Sequence, residues 1–275
     1  MNYPLQQWRL IISPPSPGIW NMAVDEAILE AVEQNKVLPS LRLYTWEPPC
    51  LSIGYAQPST DIDHPRLSSR GWDWVRRPTG GRAILHTDEL TYSVIAPLSD
   101  PRVSGGVLES YLRLSTALLT ALHSLNIPAE SQPNTSLRRN QENGAVCFEV
   151  PSNYEIIVYG KKLIGSAQAR RKNAMLQHGT FPLSGDLARI TQVLAFSDDQ
   201  NRNDAATRLL SHATTAAMVL GTELTLQEAV NAFIFGFQSE LNLELIPAEL
   251  SEHENSRIEK LLQGKYTHPS WQERI

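Results

Sequence analysis

The chain has 275 residues, of which 41% are hydrophobic and 19% charged, the balance of a globular protein with a real core. Its formal net charge of −5 and pI near 5.8 exclude the strongly basic surface typical of nucleic-acid binders. No apolar run approaches the roughly 18 residues of a membrane span, and the N-terminal stretch lacks the basic and apolar regions of a signal peptide.

Residues Trp8–Ile12 form a short apolar strand, followed by a proline-rich loop. The stretch NMAVDEAILEAVEQN reads as a helix with Asn21 as its N-cap. Asp25 and Glu26 fall early in it, and Met22, Ala23, Ala27, Ile28 and Val32 recur at helical spacing. Leu41–Trp46 alternates apolar and polar residues as a strand does. CLSIGY and WDWVRR are further short strands, and Leu90–Pro97 is a strand ended by proline. Between Gly106 and Asn126 an apolar face at Leu108, Leu112, Leu118 and Leu122 predicts a second helix.

The stretch SQPNTSLRRNQENGA is polar and turn-rich, and reads as an exposed, mobile loop. After it, YEIIVYGKKLIGSAQARR reads as a hairpin turning at Tyr159–Gly160–Lys161. From Gly185 onward helical patterns dominate, with Thr225 and Glu228 as a capping box. The class is therefore α+β, with mixed, mostly antiparallel sheets flanked by helices. No repeat and no Gly/Ser linker divides the chain.

Three segments carry candidate chemistry. In VRRPTGGRAILH, Arg76, Arg77, Thr79, Gly80, Gly81 and His86 fit two readings. One is a hairpin turn with solvated arginines, and the other a loop whose backbone closely approaches a ligand. A Walker-type phosphate loop is absent. In GKKLIGSAQARR, Lys162 is either a solvated hairpin lysine or an inward cation that needs a partner, while Gly165, Ser166 and Ala167 leave room for a bound chain. In AVCFEVPSNYEI, Cys147 is either a structural thiol or a nucleophile, and a neighbouring ammonium would stabilise its thiolate. With Cys50 it makes two cysteines, too few for a disulfide framework or a cysteine-based zinc cluster. A reducing cytoplasm is the expected setting.

Taken in order, NMAVDEAILE, LSIGYAQ, RRPTGGRAILH and GKKLIGSAQ resemble the biotin/lipoate protein ligase and octanoyltransferase superfamily, over roughly Trp8 to Leu245. Within it, the cysteine before the lysine, the following PSNYE, and LQHGT resemble the LipM-type octanoyltransferases. The chain departs from relatives at His86-Thr87-Asp88, where they place Asp directly after His.

The resemblance implies a ligase-type catalytic domain over 1–246, a polar helical tail over 247–275, and an N-octanoyltransferase. Octanoyl-acyl carrier protein would be the donor, and a lipoyl domain or the glycine-cleavage H protein the acceptor. Cys147 would carry the acyl thioester and Lys162 would lower its pKa. Arg76, Arg77, Thr79, Gly80, Gly81, His86, Gly165, Ser166, Ala167, Gln168 and His178 would bind substrate. No cofactor, metal, nucleic acid or membrane is implied, and a monomer is expected. The alternatives within the superfamily are an octanoyl amidotransferase between lipoyl domains and an ATP-dependent lipoate ligase.

Overall fold

A computed structural model describes residues 3–133 and 154–274, so Cys147 lies outside the described residues. In chain order the strands and helices are β1 (Gln6–Ile12), α1 (Gly18–Glu33), β2 (Ser40–Tyr44), β3 (Cys50–Ile53), α2 (His64–Ser69), β4 (Asp73–Arg76), β5 (Ile84–His86), β6 (Glu89–Pro97), α3 (Val107–Ser124), β7 (Glu130–Pro133), β8 (Tyr154–Val158), β9 (Lys161–Arg170) and β10 (Ala174–Pro182). The remainder is α4 (Asp199–His212), α5 (Ala216–Leu220), α6 (Leu226–Leu241), β11 (Leu243–Pro247), α7 (Glu252–Leu261) and α8 (Pro269–Gln272).

An eight-stranded sheet runs in the order β11-β1-β2-β6-β10-β9-β8-β7, and a three-stranded sheet in the order β4-β3-β5. Most pairs are antiparallel, but β1 pairs in parallel with both β2 and β11, and β3 with β4. The strand β11 lies where the sequence pattern suggested only helix and tail. Its five residues alternate buried and exposed too briefly to stand out from the helix before them.

Helices cover both faces of the large sheet. On one side, Leu90, Tyr92, Val94 and Ala96 of β6 pack with Leu114, Leu118 and Leu122 of α3 and with Phe233 and Phe237 of α6. Gly236 lets α6 approach α3 closely, since a Cβ there would meet the Ala117 carbonyl at 2.3 Å. The opposite face meets α1 and α7 through Ile95, Leu176, Ile28, Ile258 and Leu261.

The same two-residue period decides where the polar groups go. Glu89, Thr91 and Ser93 of β6 alternate with that apolar row, as His178 and Thr180 of β10 alternate with Phe181, and all five are buried. The large sheet thus carries a patch of buried polar side chains on its α1 side, facing the small sheet.

The helix α1 begins at Gly18, one turn earlier than expected, with Pro17 at its N-cap. Asn21 is therefore not a cap. Its amide, buried within the helix, donates to the Ser16 and Thr45 carbonyls and accepts from Arg42. Asp25 and Glu26, read as early helix acids, lie beyond the first turn and are buried.

The stretch after Pro247 docks onto the body of the protein. Glu254 of α7 receives both Nη atoms of Arg9 at 2.6 and 3.0 Å, and Tyr266 donates to Glu26 at 2.5 Å. The Thr225–Glu228 capping box opens α6 as expected. No described helix is long and apolar enough to cross a membrane.

Candidate active site

A cavity of about 410 Å³ opens between the small sheet and the polar patch of the large one. Its lining runs from buried Met22, Tyr44, Trp46 and Thr91 at the floor to exposed Ala56, Gly80 and Gly81 at the rim. Of the residues expected to bind substrate, Arg77, Gly80, Gly81, His86, Gly165, Ser166, Ala167 and His178 line it, and Lys162 lines it too.

The Gly80–Gly81 loop is held by Arg77. This buried guanidinium donates to the carbonyls of Gly80 at 2.9 Å, Arg82 at 2.7 Å and Ser52 at 3.1 Å. Gly81 has φ +96°, and Gly54 faces it so tightly that a Cβ on Gly54 would lie 2.0 Å from the Gly81 carbonyl. Only glycine satisfies both the positive φ and the close approach.

Two buried histidine networks form part of the lining. His86 stacks on Trp46 with centroids 3.9 Å apart, its Nδ1 is 2.6 Å from Glu89, and its Nε2 is 2.8 Å from Ser52 Oγ. Burial pushes the Glu89 carboxyl up, but His86 and the hydroxyls of Thr180 and Thr91 more than offset this and hold it below the usual carboxylate range.

The second histidine, His178, has Nδ1 3.4 Å from Asp25 and Nε2 2.7 Å from the Thr79 hydroxyl. Burial pushes Asp25 up, and Arg42 at 2.8 Å together with His178 outweighs it, so Asp25 is an anion. Burial pushes His178 down, and the Asp25 contact restores this only in part. His178 is then neutral near pH 7, with its proton on Nδ1 toward the carboxylate and Nε2 accepting from Thr79.

Lys162 reaches the cavity through an irregularity in pairing. Ile156 faces Ile164 while Ile157 faces Lys162, so β9 carries one extra residue there and the alternation of its side chains is reset. The lysine is 4% exposed and its Nζ is 2.8 Å from Glu155. Further along β9, Ser166 lies opposite Gly179, and its Oγ is 2.7 Å from the Tyr92 hydroxyl.

Three of the residues expected to bind substrate lie elsewhere. Arg76 does not line the cavity. It is fully buried and donates to carbonyls on both sides, those of Gly54, Tyr55 and Gln57 and those of Trp271, Gln272 and Arg274. Thr79 stands behind His178 rather than at the surface of the cavity. Gln168 is turned away into a ladder with Ser110, Gln177 and Arg170.

Asp88, where the sequence departs from its relatives, lies on the surface and pairs with Arg189. Cys50 is wholly buried, and burial, with Asp73 and Glu89 nearby, pushes its thiol well up, which disfavours the thiolate. Among the described residues no group of histidine, cysteine and carboxylate side chains could hold a metal.

The sequence reading missed Asp25, Glu89, Ser52 and Trp46. A signal for Asp25 was present, since an acid inside a helix as apolar as MAVDEAILEAV has to be paired. Its partner Arg42 sits on a strand whose alternation was visible, but nothing local joins the two.

The sequence profile of the lipoyl protein ligase A/B catalytic domain matches residues 17–238. The chain belongs to that family. An octanoyltransferase LipM from Kyrpidia tusciae is 40% identical over 97% of this chain and 98% of its own length. Another, from Brevibacillus brevis, is 38% identical over 97% and 99%. Among solved structures, a bi-partite lipoate protein ligase from Thermoplasma acidophilum superposes with TM-score 0.80 at 25% identity, over 98% of this chain and 96% of that one. That superposition extends beyond the residues matched by the profile.

Proposed function

We propose that the protein is an octanoyltransferase, moving octanoyl from acyl carrier protein to a lysine of a lipoyl-carrying protein, with Cys147 as the covalent way-station. The observation that carries this reading is a deep, largely apolar cavity with the buried Lys162 ammonium on its wall, in a chain 40% identical to an octanoyltransferase LipM. The apolar floor at Met22, Tyr44 and Trp46 suits an alkyl chain, and burying about six methylenes at about 0.8 kcal/mol each is worth about 5 kcal/mol.

The first step forms a bond from the Cys147 sulfur to the donor carbonyl and breaks the donor C–S bond. The departing pantetheine thiolate takes up a proton. The ammonium of Lys162 lowers the cost of the Cys147 thiolate. Backbone N–H groups of the glycine-rich rim are suited to the developing oxyanion. In the second step the neutral acceptor amine attacks the thioester, an amide C–N bond forms, the C–S bond to Cys147 breaks, and the departing thiolate takes up the proton that the nitrogen loses.

Exchange of one thioester for another is nearly balanced, whereas the amide is far more stable, so the second step drives the sequence. The acyl group arrives activated and ATP is not required. His178 and His86, each fixed by a buried carboxylate, are positioning groups that keep the cavity wall rigid and polar at defined points.

The experiment supplies octanoyl-carrier protein, an octanoylated lipoyl domain, or free octanoate with ATP, and follows labelling of a fresh lipoyl acceptor. Transfer from the carrier protein without ATP is expected. Labelling only by octanoate with ATP would replace this reading with a ligase, and labelling only from the octanoylated domain with an amidotransferase.

A further inference from the structure

The cavity is uneven in charge. Among the described residues Arg77, Arg82 and Lys162 reach its wall and no carboxylate does. Two of these cations are engaged internally, Arg77 by the carbonyls of its own loop and Lys162 by Glu155 at 2.8 Å. The Arg82 guanidinium has no hydrogen-bond or ion-pair partner among the described residues.

Its backbone is nonetheless fixed. The Arg82 carbonyl accepts from Arg77 at 2.7 Å, and the preceding Gly81 is pressed against Gly54. Arg82 follows the exposed Gly80 and Gly81, which places it at the rim, opposite the apolar floor. A half-exposed guanidinium on an anchored loop can take an anion without breaking an internal contact, and its planar fork suits phosphate oxygens.

We infer that Arg82 recognises the phosphate of the donor's pantetheine arm and so selects phosphopantetheine-borne acyl groups over thioesters that lack the phosphate. The inference rests on the donor proposed above. With the alkyl chain at the floor and the thioester near Lys162, the arm leaves past the Gly80–Arg82 rim, and the phosphate is its only charge. Arg77 cannot serve in the same way, because its donors are already taken by Gly80, Arg82 and Ser52.

The test compares octanoyl-phosphopantetheine with octanoyl-pantetheine, which lacks the phosphate, as donors to a lipoyl acceptor. Wild type, Arg82→Gln and Arg82→Lys are assayed with each. Arg82→Gln is expected to raise KM about ten-fold for the phosphorylated donor with kcat kept, and to change KM less than about two-fold for the other, as loss of one charge-assisted contact requires. Arg82→Lys is expected to fall between. Equal rises in KM for both donors, or no rise for either, would overturn the role of Arg82. If wild type accepted octanoyl-carrier protein but neither small donor, recognition of the arm's phosphate would be overturned while the proposed function stood; no transfer from the carrier protein either would sink both.

Discussion

The Lys162 ammonium stands 2.8 Å from the Glu155 carboxylate, joining β9 to β8 on the wall of the cavity. The pair places a cation where an acyl thioester would be handled and gives that cation an anionic neighbour. Glu155→Gln leaves the ammonium, 4% exposed, facing a neutral amide. A stability loss of about 1–3 kcal/mol is expected in chemical denaturation, below the figure for a fully buried pair because Glu155 is partly exposed. Acyl-enzyme formation is expected to slow about ten-fold or more as the lysine loses its fixed position. Unchanged stability and rate would show that the pair is incidental.

Acid sensitivity follows from the two histidine networks. Asp25 and Glu89 have folded pKa values below their ordinary 3.8 and 4.5, so the unfolded chain binds the protons more readily. The stability they supply is present above about pH 4.5 and is lost as pH falls through the folded values. His178, with its pKa depressed below 6.5, adds a loss that begins earlier, since the unfolded imidazole takes up its proton first. Urea midpoints are therefore expected to fall from pH 7 to 5 and again below 4.5, with His178→Asn flattening the first limb. A midpoint that rises on acidification would contradict the assignment.

Gly179 is closely packed on the cavity wall. A Cβ there would lie 2.6 Å from both Ser166 Oγ and Tyr92 Cε1 and 2.7 Å from the Gly165 carbonyl. Because one of those neighbours is backbone, it cannot rotate away. Gly179→Ala is expected to cost about 2–3 kcal/mol and to raise KM for the acyl donor by pushing β9 into the cavity. Gly160→Ala, on an open hairpin turn at φ +75°, strains only the turn and is expected to leave KM alone. Differential scanning fluorimetry with steady-state assays separates the two.

Arg76 ties the last residues of the chain to the loop that forms one side of the cavity. Arg76→Lys cannot reach the carbonyls of Gly54, Gln57, Gln272 and Arg274 together. Stability is expected to fall by about 2 kcal/mol, with earlier proteolytic cutting near Trp271. Wild-type cutting kinetics would refute the clamp.

The parts of this molecule that were legible in the sequence are those with a local signature. The strand ended by Pro97, the Thr225–Glu228 box and the Tyr159–Gly160 turn stand where their patterns put them, whereas α3 is a helix as expected but buries Leu114, Leu118 and Leu122 and leaves Leu108 and Leu112 of the expected stripe exposed. The glycine pair and Lys162 likewise mark the cavity. What escaped depends on contacts distant in sequence. Asp25 meets Arg42 and His178, Glu89 meets Thr180, and Arg76 meets the segment from Trp271 to Arg274. A guanidinium next to a glycine-rich loop reads the same whether it lines a cavity or is sealed away from it, and only the fold distinguishes Arg77 from Arg76.

The most direct test is the intact mass of the protein after brief exposure to octanoyl-carrier protein without acceptor. Wild type and Cys50→Ala are expected to gain a single octanoyl group that hydroxylamine removes and that a lipoyl domain discharges, whereas Cys147→Ala gains none. An unmodified wild type that still transfers octanoyl, or a Cys147→Ala variant that transfers at the normal rate, would contradict covalent catalysis through that thiol.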